Sequence, residues 1–443
     1  MPSPANITLL PDPLRRPDGT LSAAALRELC LGCGADDVGF VALDDPRVAS
    51  ERDPVRRAFP SARTLVAICQ RMQVENVRSP LRSVANQAFH TTGHEVDETC
   101  RRIVLALERA GVRAGNPSMA FPMELADPDD ARPWVVSHKV VAEAAGLGRI
   151  GLHRSVIHPR LGSFVLLGTV VLDATVDELG TALAFQPCLD CKLCVAACPV
   201  GAIAADGHFD ASACMNHNYR DFLGGFSDWV ERIADARDGL AYRRTVDDGE
   251  TLSMWQSLAF GPNYRAANCL AVCPAGSDVL GAFHTDRATH VQQVLRPLQQ
   301  KQEPLYVVPG SDAAAFAAKR FPHKPQRRVH SGLRARSIDG FLRALPWLFQ
   351  RGQSLGLSAR YHFDFRGRQT RQATVHIADR RIEVTPGLVG TADVHLVADG
   401  DAWLRFVARE RSLFRLLLTG SLRLRPFARG LLLLARFGKC FPS

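Results

Sequence analysis

The run Cys188-Leu-Asp-Cys191-Lys-Leu-Cys194-Val-Ala-Ala-Cys198-Pro199 constrains this chain more than any other feature. Its spacing, C-x2-C-x2-C-x3-C-P, is one with which bacterial proteins hold iron–sulfur clusters. Three thiolates at this spacing surround one cluster from a tight loop, and the fourth is directed to a second cluster. Zinc is disfavoured, because its ligands usually come as two separated pairs. We also expect residues 200–203 to form a short strand after the loop.

Cysteine usage and composition bound the class of protein. Eleven of the twelve cysteines precede position 274 and seven lie between 188 and 273, which favours metal ligation in a reducing compartment over disulfides. A length of 443 residues predicts about three domains. Residues 1–20 contain five prolines and no apolar segment, and arginines interrupt the apolar region 413–437. We therefore expect a cytoplasmic protein without a targeting peptide or a transmembrane segment.

Residues 1–180 show the alternating helices and strands of an α/β domain. Apolar periodicity predicts helices over 21–34 and 96–109 and strands over 38–41, 64–69 and 164–172. Cys30 and Cys33 have the spacing of a redox pair, but both fall on the apolar stripe of the first helix, so we interpret them as packing residues. His90 and His94, just before the second helix, are interpreted as cap or surface residues rather than cofactor contacts.

A glycine-rich turn follows a predicted helix that begins near Ser137. Gly146, Gly148 and Gly151 allow the backbone to approach another group closely. The dinucleotide-binding fingerprint is excluded, because that motif follows a strand and opens a helix. The turn Ile157-His-Pro-Arg-Leu-Gly-Ser-Phe164 then leads into the predicted strand.

These motifs carry a family resemblance. The pattern A-G-L-G-x-I-G, the turn I-x-P-x-x-G-S and the cysteine-rich insert resemble epoxyqueuosine reductases and corrinoid-dependent reductive dehalogenases over about residues 20–285. The resemblance implies a nitroreductase-like, cobalamin-binding α/β domain over 1–180 and a bacterial two-cluster ferredoxin-like domain over 181–290. The cofactor contacts that it implies are Gly146, Gly148, Gly151, His158, Gly162 and Ser163.

One departure from the reductase pattern concerns the catalytic acid. Epoxyqueuosine reductases carry an aspartate before the A-G-L-G helix, whereas this chain reads Arg132-Pro-Trp-Val-Val-Ser-His-Lys139 there. The segment is more similar to the dehalogenase-type version. His138 and Lys139 become candidates for a proton donor or an anion contact.

The same resemblance assigns the cluster ligands. Cluster one receives Cys188, Cys191, Cys194 and Cys273; cluster two receives Cys198, Cys214 and Cys269. The remaining family cysteine falls at Ala266, which cannot bind iron. We expect one [4Fe-4S] cluster and an atypical second site: a three-iron [3Fe-4S] centre, a site with a ligand such as Asn268 or His217, an open iron, or no cluster.

Residues 291–336 are predicted to be a linker, whose basic part, 319–336, we interpret as a solvated surface rather than a docking site. Residues 337–443 have the strand alternation of a small α+β domain, with Tyr361, Phe363 and Phe365 on one face. The stretches GTADVHLVADGDAWLRF and LLTGSLRLRP resemble the sterol carrier protein type 2 domain. That resemblance implies a five-stranded sheet around an apolar tunnel for lipids.

The combined prediction is an iron–sulfur oxidoreductase that uses cobalamin to reduce a hydrophobic small molecule. A ferredoxin- or flavodoxin-like donor would supply the electrons, and the cofactor would supply the difficult bond chemistry. The first alternative is a non-catalytic electron-transfer protein with a lipid-binding module. The second is tRNA epoxyqueuosine reduction, which we rank lower because a lipid-type domain stands where a nucleic-acid anchor would be expected. Nucleic acid is therefore not expected as a partner. The net charge of +9 is compatible with an acidic donor or a solvated surface and does not decide about nucleic acid.

Overall fold

A computed structural model describes residues 14–124, 132–221, 224–330 and 335–442. The helices are α1 (Ala23–Gly32), α2 (Ala49–Ala58), α3 (Val74–Arg78), α4 (Arg82–Arg109), α5 (His138–Ala144), α6 (Leu193–Ala197), α7 (Ala211–His217), α8 (Gly224–Asp235), α9 (Gly239–Thr245), α10 (Asp248–Phe260), α11 (Asn268–Ala271), α12 (Ser277–Thr285), α13 (Arg287–His290), α14 (Arg296–Gln300), α15 (Asp312–Arg320), α16 (Ile338–Leu348), α17 (Gly400–Val407), α18 (Leu413–Leu418) and α19 (Phe427–Lys439). The strands are β1 (Asp37–Ala42), β2 (Thr64–Arg71), β3 (Ala114–Gly115), β4 (Arg149–Ile150), β5 (Val156–Ile157), β6 (Val165–Leu172), β7 (Leu305–Val307), β8 (Gln326–Arg328), β9 (Ala359–Arg366), β10 (Arg371–Ala378), β11 (Arg381–Pro386), β12 (Val394–Asp399) and β13 (Leu422–Arg425).

The chain divides into two compact units. Of the described residues, the first contains 14–124, 132–197 and 267–300, and the second contains 198–221, 224–266, 301–330 and 335–442. The predicted bounds 1–180, 181–290, 291–336 and 337–443 remain predictions.

The first unit is built on an antiparallel sheet in the order β1-β2-β6-β3. Strand β2 is buried on both faces, since its side chains alternate between two cores. Val66 and Ile68 pack with α1 and α4, whereas Leu65 and Ala67 pack with α5. The unit is therefore an α/β arrangement with helices on both faces of the sheet, which agrees with the predicted α/β class.

Helix α4 is longer than the predicted 96–109, and His90 and His94 lie within it rather than before it. Its N-terminal half buries Asn86, Ala88 and Phe89, so small and polar residues weaken the apolar periodicity there. Cys30 is buried in the core beside α4, and Cys33 packs against that core, as the packing interpretation predicts.

The second unit contains a five-stranded sheet in the order β11-β10-β9-β12-β13. Strand β12 runs parallel to β9, and the other pairs are antiparallel. The predicted alternation is confirmed, because Tyr361, Phe363 and Phe365 are all fully buried. They share one core with Trp403 of α17 and with side chains of α16, α18 and α19. This core lies entirely between residues 335 and 441.

None of the twelve cysteines, all of which are among the described residues, forms a disulfide bond. Among the described helices, none combines the length and the apolar character that a membrane span requires.

Candidate metal centre

Four cysteines of the first unit line one pocket. Cys188 and Cys191 lie in the loop before α6, Cys194 lies in α6, and Cys273 follows α11. The rest of the lining is mostly apolar: Leu152, His153, Leu189, Asp190, Lys192, Pro274 and Ala275. The pocket therefore brings together the four thiols that the family resemblance assigns to cluster one.

Backbone conformation turns the cysteine loop around this pocket. Asp190 and Lys192 have φ values of 51° and 61° and so occupy the left-handed region that non-glycine residues rarely adopt. They flank Cys191 on both sides in the loop that carries the thiols. Residues held in such conformations cost on the order of 1–3 kcal/mol and persist where the surroundings fix them.

The thiols are close enough to influence one another. Burial, together with the neighbouring Cys269, Cys273, Cys191 and Cys188, raises the pKa of Cys194 to about 12. Such a group of thiolates is unfavourable until a cation offsets the charge. Among the described residues, no three His, Cys, Asp or Glu side chains stand around a point that fits a single ion. The thiols surround a pocket instead, which fits a multi-iron cluster better than one ion.

Cys273 is also provided with hydrogen-bond donors. Burial raises the pKa of Cys273 to about 11, while the N–H of Ala275 and the hydroxyl of Ser163 act in the opposite direction. The single proton of that hydroxyl is directed either at the Cys273 thiol or at the carbonyl oxygen of Leu270, 3.1 Å away. Ser163, which the resemblance implies as a cofactor contact, therefore lies beside a predicted cluster ligand.

In the second unit, Cys198 is surrounded by backbone amides. The N–H of Ala202 donates to its Sγ at 3.3 Å. Burial raises the pKa of Cys198, and the amides of Val200, Ala202, Ile203 and Gly201 counteract that rise. Donors of this kind are known to tune iron–sulfur clusters. The predicted strand over 200–203 is wrong: Ile203 forms only an isolated bridge with Phe209, since these amides face the sulfur instead of a neighbouring strand.

The other residues assigned to cluster two fall in different units. Cys214 lies in α7 of the second unit and Cys269 in α11 of the first. The backbone N–H of Ala266 donates to Oδ1 of Asn218 at 2.8 Å. The composition of the second cluster stays a prediction.

His217 and Asn268 are the two non-cysteine ligands that the sequence suggests for that cluster. Nδ1 of His217 accepts from the N–H of Tyr306 at 3.3 Å, so the ring proton resides on Nε2, which then has no lone pair for iron. The side-chain amide of Asn268 donates to the carbonyl of Ala197 at 3.4 Å, which leaves its Oδ1 as an acceptor. Of the two, Asn268 is the better candidate in this arrangement.

The glycines implied as cofactor contacts approach the chain itself. A Cβ at Gly146 would lie 2.5 Å from the carbonyl oxygen of Thr181, and one at Gly148 would lie 2.5 Å from that of Ile157. At Gly151 the obstacle is the Ile157 side chain, and at Gly162 it is the carbonyl of Ala275. Internal packing therefore accounts for these glycines, and their role toward cobalamin stays a prediction.

His158 fixes the turn that precedes Ser163. Its Nδ1 accepts from the N–H groups of Arg160 and Leu161, and its Nε2 donates to Asp37 at 3.0 Å. Both ring nitrogens are thus used within the first unit.

His138 and Lys139 open α5. The hydroxyl of Thr169 lies 2.8 Å from Nδ1 of His138, and the carbonyl of Ser118 lies 3.0 Å from Nε2. Burial lowers the pKa of His138, so a neutral ring with its proton on Nε2 fits both contacts. Nζ of Lys139 donates to the carbonyl of Arg154 at 3.0 Å. A proton-donor role for His138 would require it to leave these contacts, and it stays a prediction.

Sequence analysis did not single out His153, which lines the four-thiol pocket. Its Nδ1 accepts from the N–H of Ser155 at 3.1 Å, which places the proton on Nε2. Burial, together with the charge of Lys139, lowers the pKa of His153 to about 4, so the ring is neutral at pH 7. Its Nε2 is buried and has no hydrogen-bond partner among the described residues. A cluster sulfur in the pocket would supply the missing acceptor.

We predict that His153→Leu lowers the reduction potential of the cluster by on the order of tens of millivolts, because an N–H donor stabilises the more negative reduced state. His153→Gln keeps an N–H donor, so its reduction potential should lie between those of the natural protein and His153→Leu. Redox titration followed by electron paramagnetic resonance measures both variants. Equal potentials in the natural, Leu and Gln proteins would show that His153 only packs against the pocket.

Comparisons with known proteins give partial matches to this chain. No protein-family model matches the chain. An epoxyqueuosine reductase of Staphylococcus aureus is 34% identical over 82 residues, which are 18% of this chain and 21% of that protein. One of Synechococcus sp. (strain RCC307) is 28% identical over 198 residues, or 44% of this chain and 55% of that protein. Part of this chain is homologous to epoxyqueuosine reductases. The matches span only about a fifth to about half the length of these curated relatives.

Solved structures give weaker likenesses. An epoxyqueuosine reductase with a tRNA-Tyr epoxyqueuosine-modified stem loop has 18% identity and a TM-score of 0.33, covering 44% of this chain and 56% of that chain. A reductive dehalogenase, whose structure suggests a mechanism for B12-dependent dehalogenation, has 17% identity and a TM-score of 0.33. The match covers 45% of this chain and 27% of that chain. TM-scores this low do not assign a fold to the chain. The sterol-carrier resemblance of 337–443 stays a prediction.

Proposed function

We propose that this protein is an iron–sulfur oxidoreductase of the epoxyqueuosine reductase type. The observation that carries the proposal is the pocket lined by Cys188, Cys191, Cys194 and Cys273. These thiols fit a [4Fe-4S] cluster in number, in residue type and in their arrangement around an apolar cavity. The partial homology to epoxyqueuosine reductases supports a reductase rather than a bare electron carrier.

Reduction of epoxyqueuosine in tRNA is the specific activity that the relatives favour. Our sequence-based ranking placed this activity last and expected no nucleic-acid partner, and the curated matches do not support that order. Cobalamin, which the resemblance implies, would supply the reductive chemistry when bound. The glycines that the resemblance implies as cofactor contacts are faced by the chain's own backbone or, at Gly151, by the Ile157 side chain, so the cobalamin site rests on the resemblance alone.

Reduction of a hydrophobic small molecule is the second candidate, and one observation favours it. The segment 132–139 contains no carboxylate. Glu51 is the acid that contacts this segment: it is 1% exposed and accepts from the Arg132 guanidinium and from the N–H of Ser137. The segment 132–139 itself therefore supplies no acid where epoxyqueuosine reductases carry their aspartate.

For residues 337–443 we propose the sterol-carrier-like module that the sequence predicts. The five-stranded sheet and the separate core support it. The predicted tunnel has no direct support, because Phe341, Phe363, Phe365 and Trp403 pack ring against ring between the sheet and its helices. An apolar ligand in this space would have to displace these rings.

The decisive experiment reconstitutes the full chain anaerobically with iron, sulfide and cobalamin. We expect one conventional [4Fe-4S] signal, an atypical second centre and a cobalamin spectrum that changes on binding. The reduced protein is then offered an epoxyqueuosine-containing tRNA stem loop and, separately, halogenated aromatic compounds. Formation of queuosine supports the first substrate, and loss of halide supports the second. A protein that passes electrons to an artificial acceptor without binding cobalamin would instead be the electron-transfer alternative.

A further inference from the structure

The positive charge of the chain is concentrated at its C-terminal end. Residues 402–443 contain nine arginines and lysines but only one acid, Glu410, whereas the whole chain has a net charge of +9. Less than a tenth of the sequence thus carries nearly all of the excess positive charge. Helices α18 and α19 lie in this segment and contain no acidic residue.

Helix α19 buries one face in the core and leaves large apolar side chains exposed beside its cations. Its inner face places Leu434 and Phe437 in the core against the sheet. Its outer face carries Phe427, Leu431 and Leu432, which are 59%, 36% and 71% exposed. A helix on the surface of a globular protein normally presents charged and polar residues on that side. The outer face of α19 therefore lacks the composition of a face that only meets water.

Helix α18 continues the pattern. Phe414 and Leu418 are each 70% exposed, while Leu416 is buried in the same core that receives Leu434. Since both helices bury residues in one core, their outer faces lie on the helical side of the sheet. The same helices carry basic residues: Arg415 in α18 and Arg429, Arg436 and Lys439 in α19. Arg429 is paired with Asp393 at 2.6 Å, and Arg436 donates to the carbonyl oxygen of Leu355 at 2.8 Å, so these two are partly engaged within the second unit.

We propose that the outer faces of α18 and α19 dock on an anionic phospholipid surface. Helices that lie in a membrane interface combine Phe and Leu on one side with flanking Lys and Arg. Lys and Arg side chains close to the membrane attract the anionic headgroups. The apolar side chains enter the boundary between headgroups and acyl chains. This surface does not depend on the proposed reductase activity, because its residues lie outside the cluster site.

Charge argues against two other occupants. A second copy would bring two strongly basic segments face to face, which like-charge repulsion opposes. Nucleic acid would match the charge, but its sugar–phosphate backbone offers polar contacts, and Leu431 and Leu432 would remain in water.

The test is flotation of the full-length protein with vesicles of phosphatidylcholine alone or mixed with phosphatidylglycerol. We expect binding to the mixed vesicles, weak binding to the neutral ones, and loss of binding at high salt, where screening shortens the reach of the charges. The double variant L431Q/L432Q should bind about tenfold less, because two apolar side chains no longer enter the interface. R415Q/K439Q should lose about fivefold for each charge removed and bind neutral vesicles unchanged.

The matched control is L252Q/L258Q on α10. Leu252 and Leu258 are 57% and 61% exposed, but their helix contains Asp248 and Glu250 and no basic residue. This variant should bind mixed vesicles like the natural protein. Circular dichroism and iron content confirm that each variant is folded. The proposal is overturned if L431Q/L432Q floats as well as the natural chain, if the natural chain binds tRNA or itself through these leucines, or if it binds no vesicle.

Discussion

Replacing Cys188, Cys191 or Cys194 by serine is expected to remove one whole iron–sulfur cluster from the purified protein. The three thiols line one pocket with Cys273, and a neutral hydroxyl does not replace a thiolate in charge or in affinity for iron. The iron content should fall by about four atoms per chain, the number in one [4Fe-4S] cluster. Anaerobic iron and sulfide analysis, with the visible spectrum, measures the loss.

The same variants should also destabilise the first unit. A metal site is rarely preformed in the unfolded chain, so the free energy of metal binding contributes to folding. Cys33→Ser is the matched control, because Cys33 is a partly buried thiol of the same unit that packs near α1 and not in the pocket. It should keep its full iron content. Unchanged iron and absorption in all three pocket variants would show that these cysteines do not hold a cluster.

Side-chain patterns were enough to predict several of the strands and helices. The alternation of Tyr361, Phe363 and Phe365 predicted a half-buried strand, and β9 spans these residues. The short apolar run over 38–41 predicted a buried strand, which is β1. In β9 the alternating aromatic side chains enter the core, whereas all four residues of the run in β1 are buried. Where burial falls on small or polar residues, as in the first half of α4, the pattern is too weak to give the helix start.

The candidate site was predictable in part. Cysteine spacing and the family resemblance indicated Cys188, Cys191, Cys194 and Cys273, and the pocket brings these four together. His153 carries no such signal, because a single histidine in a loop is most often a packing residue. Its position depends on the fold around it. The strand predicted over 200–203 is wrong for a similar reason. Sequence alone does not show that the sulfur atom of Cys198, rather than a neighbouring strand, accepts from the backbone amides of these residues.

A second large effect is expected where two loops of the first unit meet beside Cys273. The N–H groups of Ser277 and Asp278 donate to the carbonyl oxygens of Pro159 and Arg160 at 2.9 and 3.0 Å. Gly162 lies so near this loop that a Cβ would overlap the carbonyl oxygen of Ala275. Its φ of 68° adds the strain of a left-handed conformation. The turn and the ligand-bearing loop are therefore packed backbone against backbone.

Gly162→Ala should consequently separate the two loops and displace the Cys273 ligand. Gly111→Ala is the matched control, because Gly111 has a φ of 73° in the same unit but open space around its Cα. Gly111→Ala adds only the free-energy cost of placing alanine in a left-handed conformation, about 1–2 kcal/mol. This cost corresponds to a decrease of about 2–8 °C in the melting temperature. Gly162→Ala should decrease the melting temperature by about 10 °C or more and lose most of the iron of one cluster. Differential scanning calorimetry with iron analysis compares the two. If both variants have the same melting temperature and keep their iron, the close contact between residues 162 and 275 does not position Cys273.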